Sequence, residues 1–315
     1  MNANLHAKKK KIKNEYRIKQ LQFVWGWLAL PIISWLIFYW YVNFRSFVQA
    51  FQDPASGAWS MINFNNVWGS ITSGTNAHGS LAEGFINTMR YFLVDIFVKY
   101  PIQILVCYFL YKRIKGYKAF RYIFYLPAII SGVAWAGVFK EFISPSGPVG
   151  NLFNTLGINM PQNGFLKTPE TATGTIIAYS IWLCVYGHML LLCGAMNRIP
   201  IEVLEAARIE GIRPFRELIS IILPLIWPTL STLLLLTCTG ILNASGPILL
   251  LQPDTYTYGT TTLSYWIFDK VYAGGVTSAG QYNLVSAAGL IMTVIAFPIV
   301  MGLRKLMNKI PSVEY

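Results

Sequence analysis

Six stretches of this chain, near residues 22–43, 86–111, 121–143, 173–196, 225–251 and 283–303, are predominantly apolar over the length that a membrane demands. About 20 such residues cross a hydrocarbon core of about 30 Å. Inside that core no water completes backbone hydrogen bonds, so a chain of this pattern crosses it as helices. The expected fold is therefore an all-α integral membrane protein with six transmembrane helices. Hydrophobic residues make up 54% of the sequence and charged residues only 12%, more apolar surface than a soluble domain of this length would normally bury. The first stretch is too long for a cleavable signal peptide and carries Trp35, Phe38, Tyr39, Trp40 and Tyr41 near its far end without a small-residue cleavage site, so it is expected to remain as an anchor. The second is the least clean. Arg90 there can snorkel, whereas Asp95 and Lys99, four residues apart, are placed to pair on one helix face.

Orientation follows from the lysines and arginines. The N-terminal tail holds Lys8, Lys9, Lys10, Lys11, Lys13, Arg17 and Lys19, and the segment after the second stretch holds Lys112, Arg113, Lys115, Lys118 and Arg121. Arg198, Arg208, Arg213 and Arg216 lie between the fourth and fifth stretches, and Arg304, Lys305 and Lys309 follow the sixth. Threading six spans puts these 19 of the 25 basic residues on one side, which the positive-inside rule identifies as cytoplasmic, together with both termini. The net charge of +12 thus needs no nucleic acid. Beside a span, a basic tail is a topology signal and a contact for anionic membrane lipid.

Catalytic constellations are missing. His6, His78 and His188 are far apart, no HExxH or GxSxG motif occurs, and no GxxxxGKS or GxxxxGKT loop is present to cradle nucleotide phosphates. Cys107, Cys184, Cys193 and Cys238 all fall within the apolar stretches and lack metal-ligand spacing, so they read as small packing residues. No metal, cofactor or catalytic site is expected on this chain.

The polar segment between the fourth and fifth stretches carries the most specific pattern. It reads Glu205-Ala206-Ala207, three residues, Gly211, nine residues, then Ile221-Ile222-Leu223-Pro224. Pro200 can open a short helix, Gly211 can end it in a corner, and a second helical segment can begin at Pro214. Ile201, Leu204, Glu205, Arg208 and Ile209 then fall near one side, a mixed apolar and charged face suited to docking. The pattern resembles the EAA loop of the inner-membrane subunits of binding-protein-dependent ABC importers. Weaker likenesses to the sugar-permease, maltose-type branch of that family run along the chain: Asn63-Phe64-Asn65 and Asn87-Thr88, Leu126-Pro127, Gly150-Asn151-Leu152, and Asn283 to Ala288. Residues 243–247 depart from it, reading Asn-Ala-Ser-Gly-Pro where the family often shows an acidic residue and a Thr-Gly-Gly-Pro run.

The resemblance implies a type I ABC importer permease fold in the bacterial cytoplasmic membrane. Its parts are a basic cytoplasmic tail at 1–20, a first helix and outer loop at 21–84, a five-helix core at 85–308 with a cytoplasmic coupling loop at 197–224, and a C-terminal tail at 309–315. It implies a second permease subunit, in a heterodimer, two ATP-binding subunits carrying ATP and Mg, and an extracytoplasmic solute-binding protein. Glu205 would contact the ATPase, Ala206 and Ala207 would allow close approach, Gly211 would make the corner, and Arg208 and Pro214 would complete the dock. The small residues Gly132, Ala136 and Gly137, and Ser286, Ala287 and Gly289, would let helices approach closely.

The solute would be a carbohydrate, in the first instance an oligosaccharide. Candidate path residues are the polar and aromatic side chains within spans: Tyr179, Trp182 and Tyr186 at helical spacing, Asn243 and Ser245 in the fifth, and Asn283 in the sixth. Helix packing or an aromatic belt accounts for the same residues and, taken singly, is the commoner reason for such side chains; His188 reads as a packing histidine. Two alternatives stay open. An importer of the same class could carry a non-sugar solute, and a self-sufficient secondary transporter would need an inverted repeat that the sequence does not display. Cysteines placed at positions 10, 116 and 212 should resist labelling from outside the cell, while positions 65, 160 and 275 should label; outside labelling at 212 would overturn this topology.

Overall fold

The computed structural model describes residues 2–73, 80–161, 163–240, 246–272 and 279–309, and among these all regular structure is helical. Four helices are long and apolar enough to cross a membrane: Tyr16–Ala50, Leu81–Tyr111, Pro169–Met196 and Gly280–Met307. Two bent pairs, Tyr117–Ile129 with Gly132–Phe142 and Pro214–Leu225 with Trp227–Gly240, raise the number to six if each pair is one span. The chain divides into two compact units, Met1–Phe64 with Ser278–Leu290, and Asn65–Thr277 with Ile291–Tyr315.

In the first unit, α1 (Asn2–Trp35) passes through a π-helical segment, Leu36–Tyr41, into α2 (Val42–Ala50). Its aromatic rings, Trp35, Phe38, Tyr39 and Trp40 among them, are more than half exposed, as an anchor facing lipid requires. Where α2 ends, the carbonyls of Ala50 and Gln52 are taken by the buried amide of Asn63, at 3.0 and 2.8 Å. Asn283 supplies a third bond, donating to the Gln52 carbonyl at 2.9 Å. The following turn is closed by Asp53, whose carboxylate accepts from the Ala55 N–H and the Ser56 hydroxyl; those donors, the Ala55 N–H first, hold its pKa below the usual carboxylate range.

The second unit opens with α3 (Ile62–Ser73), whose first residues belong to the first unit, and then α4 (Leu81–Val94). Ser80 caps α4 by accepting from the Glu83 N–H. A π-helical segment, Asp95–Lys99, joins α4 to α5 (Tyr100–Tyr111). The Asp95–Lys99 pair expected from spacing forms there, at 2.5 Å. The continuous rod Leu81–Tyr111 has 31 residues, about 46 Å at 1.5 Å per residue.

The expected span at 121–143 is two helices, α6 (Tyr117–Ile129) and α7 (Gly132–Phe142), bent by 108°. Ile130 and Ser131 are extended, and the Ser131 hydroxyl accepts from the Ala134 N–H to start a new helix. Pro127, with no N–H to give, already weakens the last turn of α6. After α8 (Pro148–Thr155) come α9 (Pro169–Trp182) and α10 (Val185–Met196), separated by Leu183 and Cys184. The polar segment then folds as α11 (Ile201–Ile209) and α12 (Pro214–Glu217), followed by the π-helical Leu218–Ile222 and α13 (Leu223–Leu225). Helix α14 (Trp227–Gly240) leaves this assembly at 78°, and α15 (Gly246–Leu251) is the next described helix of the expected stretch at 225–251. Two short helices, α16 (Thr255–Tyr258) and α17 (Leu263–Tyr272), precede α18 (Ala279–Met307).

Among the described residues, two clusters contribute to the interior of this unit. Cys107, Met189, Leu192, Met196, Ile222 and Leu233 join α5, α10 and α14, while Phe139, Ile176, Tyr179, Ile248 and Tyr265 join α7, α9, α15 and α17. All four cysteines are buried. The Asn87-Thr88 pair pins the segment at 259–263 to α4: Asn87 donates to the carbonyls of Gly259 and Thr261 at 3.0 and 2.9 Å, and Thr88 accepts from the Leu263 N–H. Gly84 lets this strap lie close, since a Cβ there would sit 3.3 Å from its backbone. Thr173 also donates to the Gly259 carbonyl, so replacing Asn87 orphans chiefly the Thr261 carbonyl. Asn87→Ala should lower stability by about 1–3 kcal/mol, read as an earlier unfolding transition of the purified chain in detergent; an unchanged transition would show that the strap is not held by this side chain.

Candidate functional site

Helix α11 ends in a Schellman turn. Glu210 is its last cap, Gly211 takes φ +69°, and the N–H groups of Gly211 and Ile212 bond the carbonyls of Arg208 and Ala207, each at 3.0 Å. A Cβ on Gly211 would touch nothing, so the glycine serves the left-handed backbone rather than a close approach. Pro200 is the residue before the first helical turn, one place earlier than the sequence suggested, and Arg213 and Pro214 open α12.

The helix has two faces. Leu204 and Ala207 are buried. Glu202, Glu205, Ala206 and Arg208 are exposed, with Ile201 at 64% and Ile209 at 88%. The expectation that Leu204 shares the outer face is therefore corrected: three residues from Ala207, it shares that residue's inward side. Of the two alanines, only Ala206 is offered outward. Phe215, 69% exposed, extends the apolar part of this surface past the corner.

The second limb is anchored from below. Lys112, at the end of α5, puts its ammonium 2.8 and 2.9 Å from the two carboxylate oxygens of buried Glu217, and the Tyr108 hydroxyl donates to the Pro214 carbonyl at 3.0 Å. From the sequence Lys112 is legible only as a topology charge, and nothing marks Glu217. The separation of 105 residues leaves no local signal for the pair. Beside it, Arg113 holds φ +51° and closes α5 with the same Schellman bonds, Arg113 N–H to Leu110 and Ile114 N–H to Phe109.

A cavity of about 390 Å³ lies between the spans of the second unit, within the range of small-molecule pockets. Its polar wall includes Asp95, Lys99, Gln103, Ser180, His188 and Thr237, its aromatic wall Trp135, Tyr179 and Tyr186. Gln103 organises the polar side. A carbonyl can only accept, so the Gln103 amide nitrogen faces the Cys184 carbonyl, 2.6 Å away at the break between α9 and α10. Its oxygen consequently faces His188 Nδ1 at 3.2 Å, which makes that nitrogen the protonated one. The His188 ring stacks on Tyr100, whose hydroxyl meets Thr237 at 2.7 Å.

Of the proposed path residues, Tyr179 and Tyr186 line this cavity. Tyr179 is buried against Phe139, while Trp182, 47% exposed, stands edge-on to Trp135 and beside Tyr179, packing behind these two wall residues. Asn283 belongs to the first unit, where it serves the Gln52 carbonyl. Asn243 and Ser245 lie outside the described residues.

Apolar helices of membrane-crossing length joined by a rigid corner loop with an exposed outer face describe an integral membrane component. The family model of the binding-protein-dependent transport system inner membrane component matches residues 84–310, and the chain belongs to that family. It is 25% identical over 283 residues, 88% of this chain and 93% of the other, to the multiple sugar-binding transport system permease protein MsmF of Streptococcus mutans. It is likewise 25% identical, over 84% of this chain and 81% of the other, to the lactose transport system permease protein LacF of Rhizobium radiobacter. A chain of a bacterial ABC transporter involved in the import of the acidic polysaccharide alginate superposes with a TM-score of 0.78 at 25% identity, covering 95% of this chain and 99% of that one. That transporter is also known in complex with an alginate pentasaccharide-bound periplasmic protein.

The cavity and the anchor residues separate experimentally. Tyr186→Ala removes a wall of the cavity and should reduce solute uptake while leaving the unfolding transition in place. Asn283→Ala removes one of two donors to a carbonyl and should cost about 1 kcal/mol of stability with little effect on uptake per folded molecule. Reversed behaviour of the two variants would exchange their roles.

Proposed function

We propose that this chain is a transmembrane permease subunit of an ATP-driven importer that moves a carbohydrate, an oligosaccharide first of all, across the bacterial cytoplasmic membrane. The observation that carries the reading is the α11 knob, where a Schellman corner and two inward residues leave a mixed apolar and charged face exposed. Such a face, Ile201, Glu205, Ala206, Arg208 and Ile209, suits a protein groove better than lipid or water. Family membership and the sugar-transport names of the relatives support the substrate class. The aromatic and hydroxyl-bearing cavity wall suits it as well, since ring faces meet the C–H faces of sugars and amides and hydroxyls meet their hydroxyl groups.

In this reading both bent helix pairs count as spans, giving six, and both termini are cytoplasmic. The core is residues 85–308 with the coupling loop at 197–224. A second permease completes the path, two ATP-binding subunits holding ATP and Mg dock on the loops, and an extracytoplasmic receptor delivers solute, a role supported by the alginate pentasaccharide-bound periplasmic protein found in complex with the alginate transporter. The chain itself supplies no ATPase site. ATP binding shifts the balance between inward-facing and outward-facing packings because the ATPase subunits contact those states differently.

Glu205→Lys reverses a charge at the dock, and Gly211→Val forces a branched residue into a left-handed position. The first should cost about 2–5 kcal/mol of ATPase affinity, the second about 1–2 kcal/mol of corner stability. Both should leave membrane insertion intact. Co-purification of the ATPase subunits and uptake by the whole complex check this; wild-type values for both variants would overturn the coupling role.

A further inference from the structure

We propose that Lys112 and Glu217 form a latch that makes the second limb of the loop and the cavity-lining helix move as one body. The inference rests on the coupling reading above and adds the route by which movement of the loop reaches the cavity. Glu217 is 3% exposed, and both of its oxygens are held by one ammonium. A carboxylate so placed is strongly disfavoured without its partner, so the two elements separate only against that cost. Tyr108 adds a second attachment one turn earlier on the same helix, through the Pro214 carbonyl, and its ring lies 5.9 Å beneath the Lys112 ammonium. The first turn of α12 is thus fastened at two points to the end of α5.

The other end of this rod is the cavity wall. Gln103, Tyr100, Lys99 and Asp95 line the cavity from the same continuous helix, Leu81–Tyr111. Gln103 is about 14 Å along the axis from Lys112 at 1.5 Å per residue. A rod that is rigid over this distance and latched at its foot passes a displacement of α12 to Gln103, and Gln103 bonds the broken α9–α10 junction through the Cys184 carbonyl. Lys112 and Glu217 touch neither the solute path nor the exposed α11 face, so they act as positioning residues.

The test uses the complete complex in proteoliposomes and a probe that needs no solute. A cysteine at Lys99, in a Cys184→Ala background, is labelled with a methanethiosulfonate reagent with and without a non-hydrolysable ATP analogue. With the latch intact, the labelling rate should change about fivefold or more between nucleotide states, the ordinary size of coupling between sites. Lys112→Met and Glu217→Gln should abolish that change while the ATPase subunits still co-purify, and the exchanged pair K112E/E217K should restore it. A nucleotide response that persists in either single variant overturns the latch. Where a single variant fails to assemble, Lys112→Cys with Glu217→Cys, bridged by a bifunctional maleimide, decides the matter: a preserved response supports a joint that stays closed, and a lost response overturns it. Absence of ATPase subunits from the wild-type complex would instead overturn the coupling reading.

Discussion

Backbone hydrogen bonding inside lipid governs this structure. A straight helix satisfies itself, but a break in a span exposes carbonyl and N–H groups that water cannot reach. Several such groups, at breaks and at span ends, are met by named side chains. Gln103 takes the Cys184 carbonyl at the α9–α10 break, Ser131 takes the Ala134 N–H at the start of α7, Asn87 takes two carbonyls of the strap after α16, and Asn63 takes two at the end of α2. These polar residues sit where apolar ones would be expected, and removing any of them leaves a group unpaired rather than merely less packed. The cavity follows from the same rule, because breaking a span beside Gln103 and His188 opens space that polar groups already line.

The loop obeys a different economy. At the membrane surface water is available, and the problem becomes how to hold a small angular element still. Leu204 and Ala207 root α11 in the chain, Gly211 turns it, and the Lys112–Glu217 pair with the Tyr108 hydroxyl secures the other limb. Rigidity behind and exposure in front make the outer face usable, since a docking surface that must first be ordered gives up part of its binding energy.

Periodicity and hydropathy made the spans legible because lipid imposes one length and one composition on all of them. The corner was legible too, since Pro200, Gly211 and Pro214 act through backbone rules that need no knowledge of the fold. What escaped was contact between distant segments. The 108° bend after Pro127 depends on Ser131 capping a new helix, yet serine in an apolar stretch reads equally well as a packing residue. Nothing local marks Glu217, whose partner Lys112 lies 105 residues away. Asn283 had the chemistry of a path residue and the position of an anchor. Leu204 falls on the outer side only by a shallow reckoning of helical phase, and its burial settles the matter.

Arg113 carries a further consequence. The two Schellman turns at this end of the molecule are built alike, but one places glycine in the left-handed position and the other an arginine at φ +51°. An L-residue with a full side chain gives up about 1–2 kcal/mol to stay there. That strain is stored in the residue directly after Lys112, at the joint between rod and loop. The corner at the foot of the rod is therefore held less easily than its glycine counterpart after α11, and the Lys112–Glu217 pair beside it has that cost to offset.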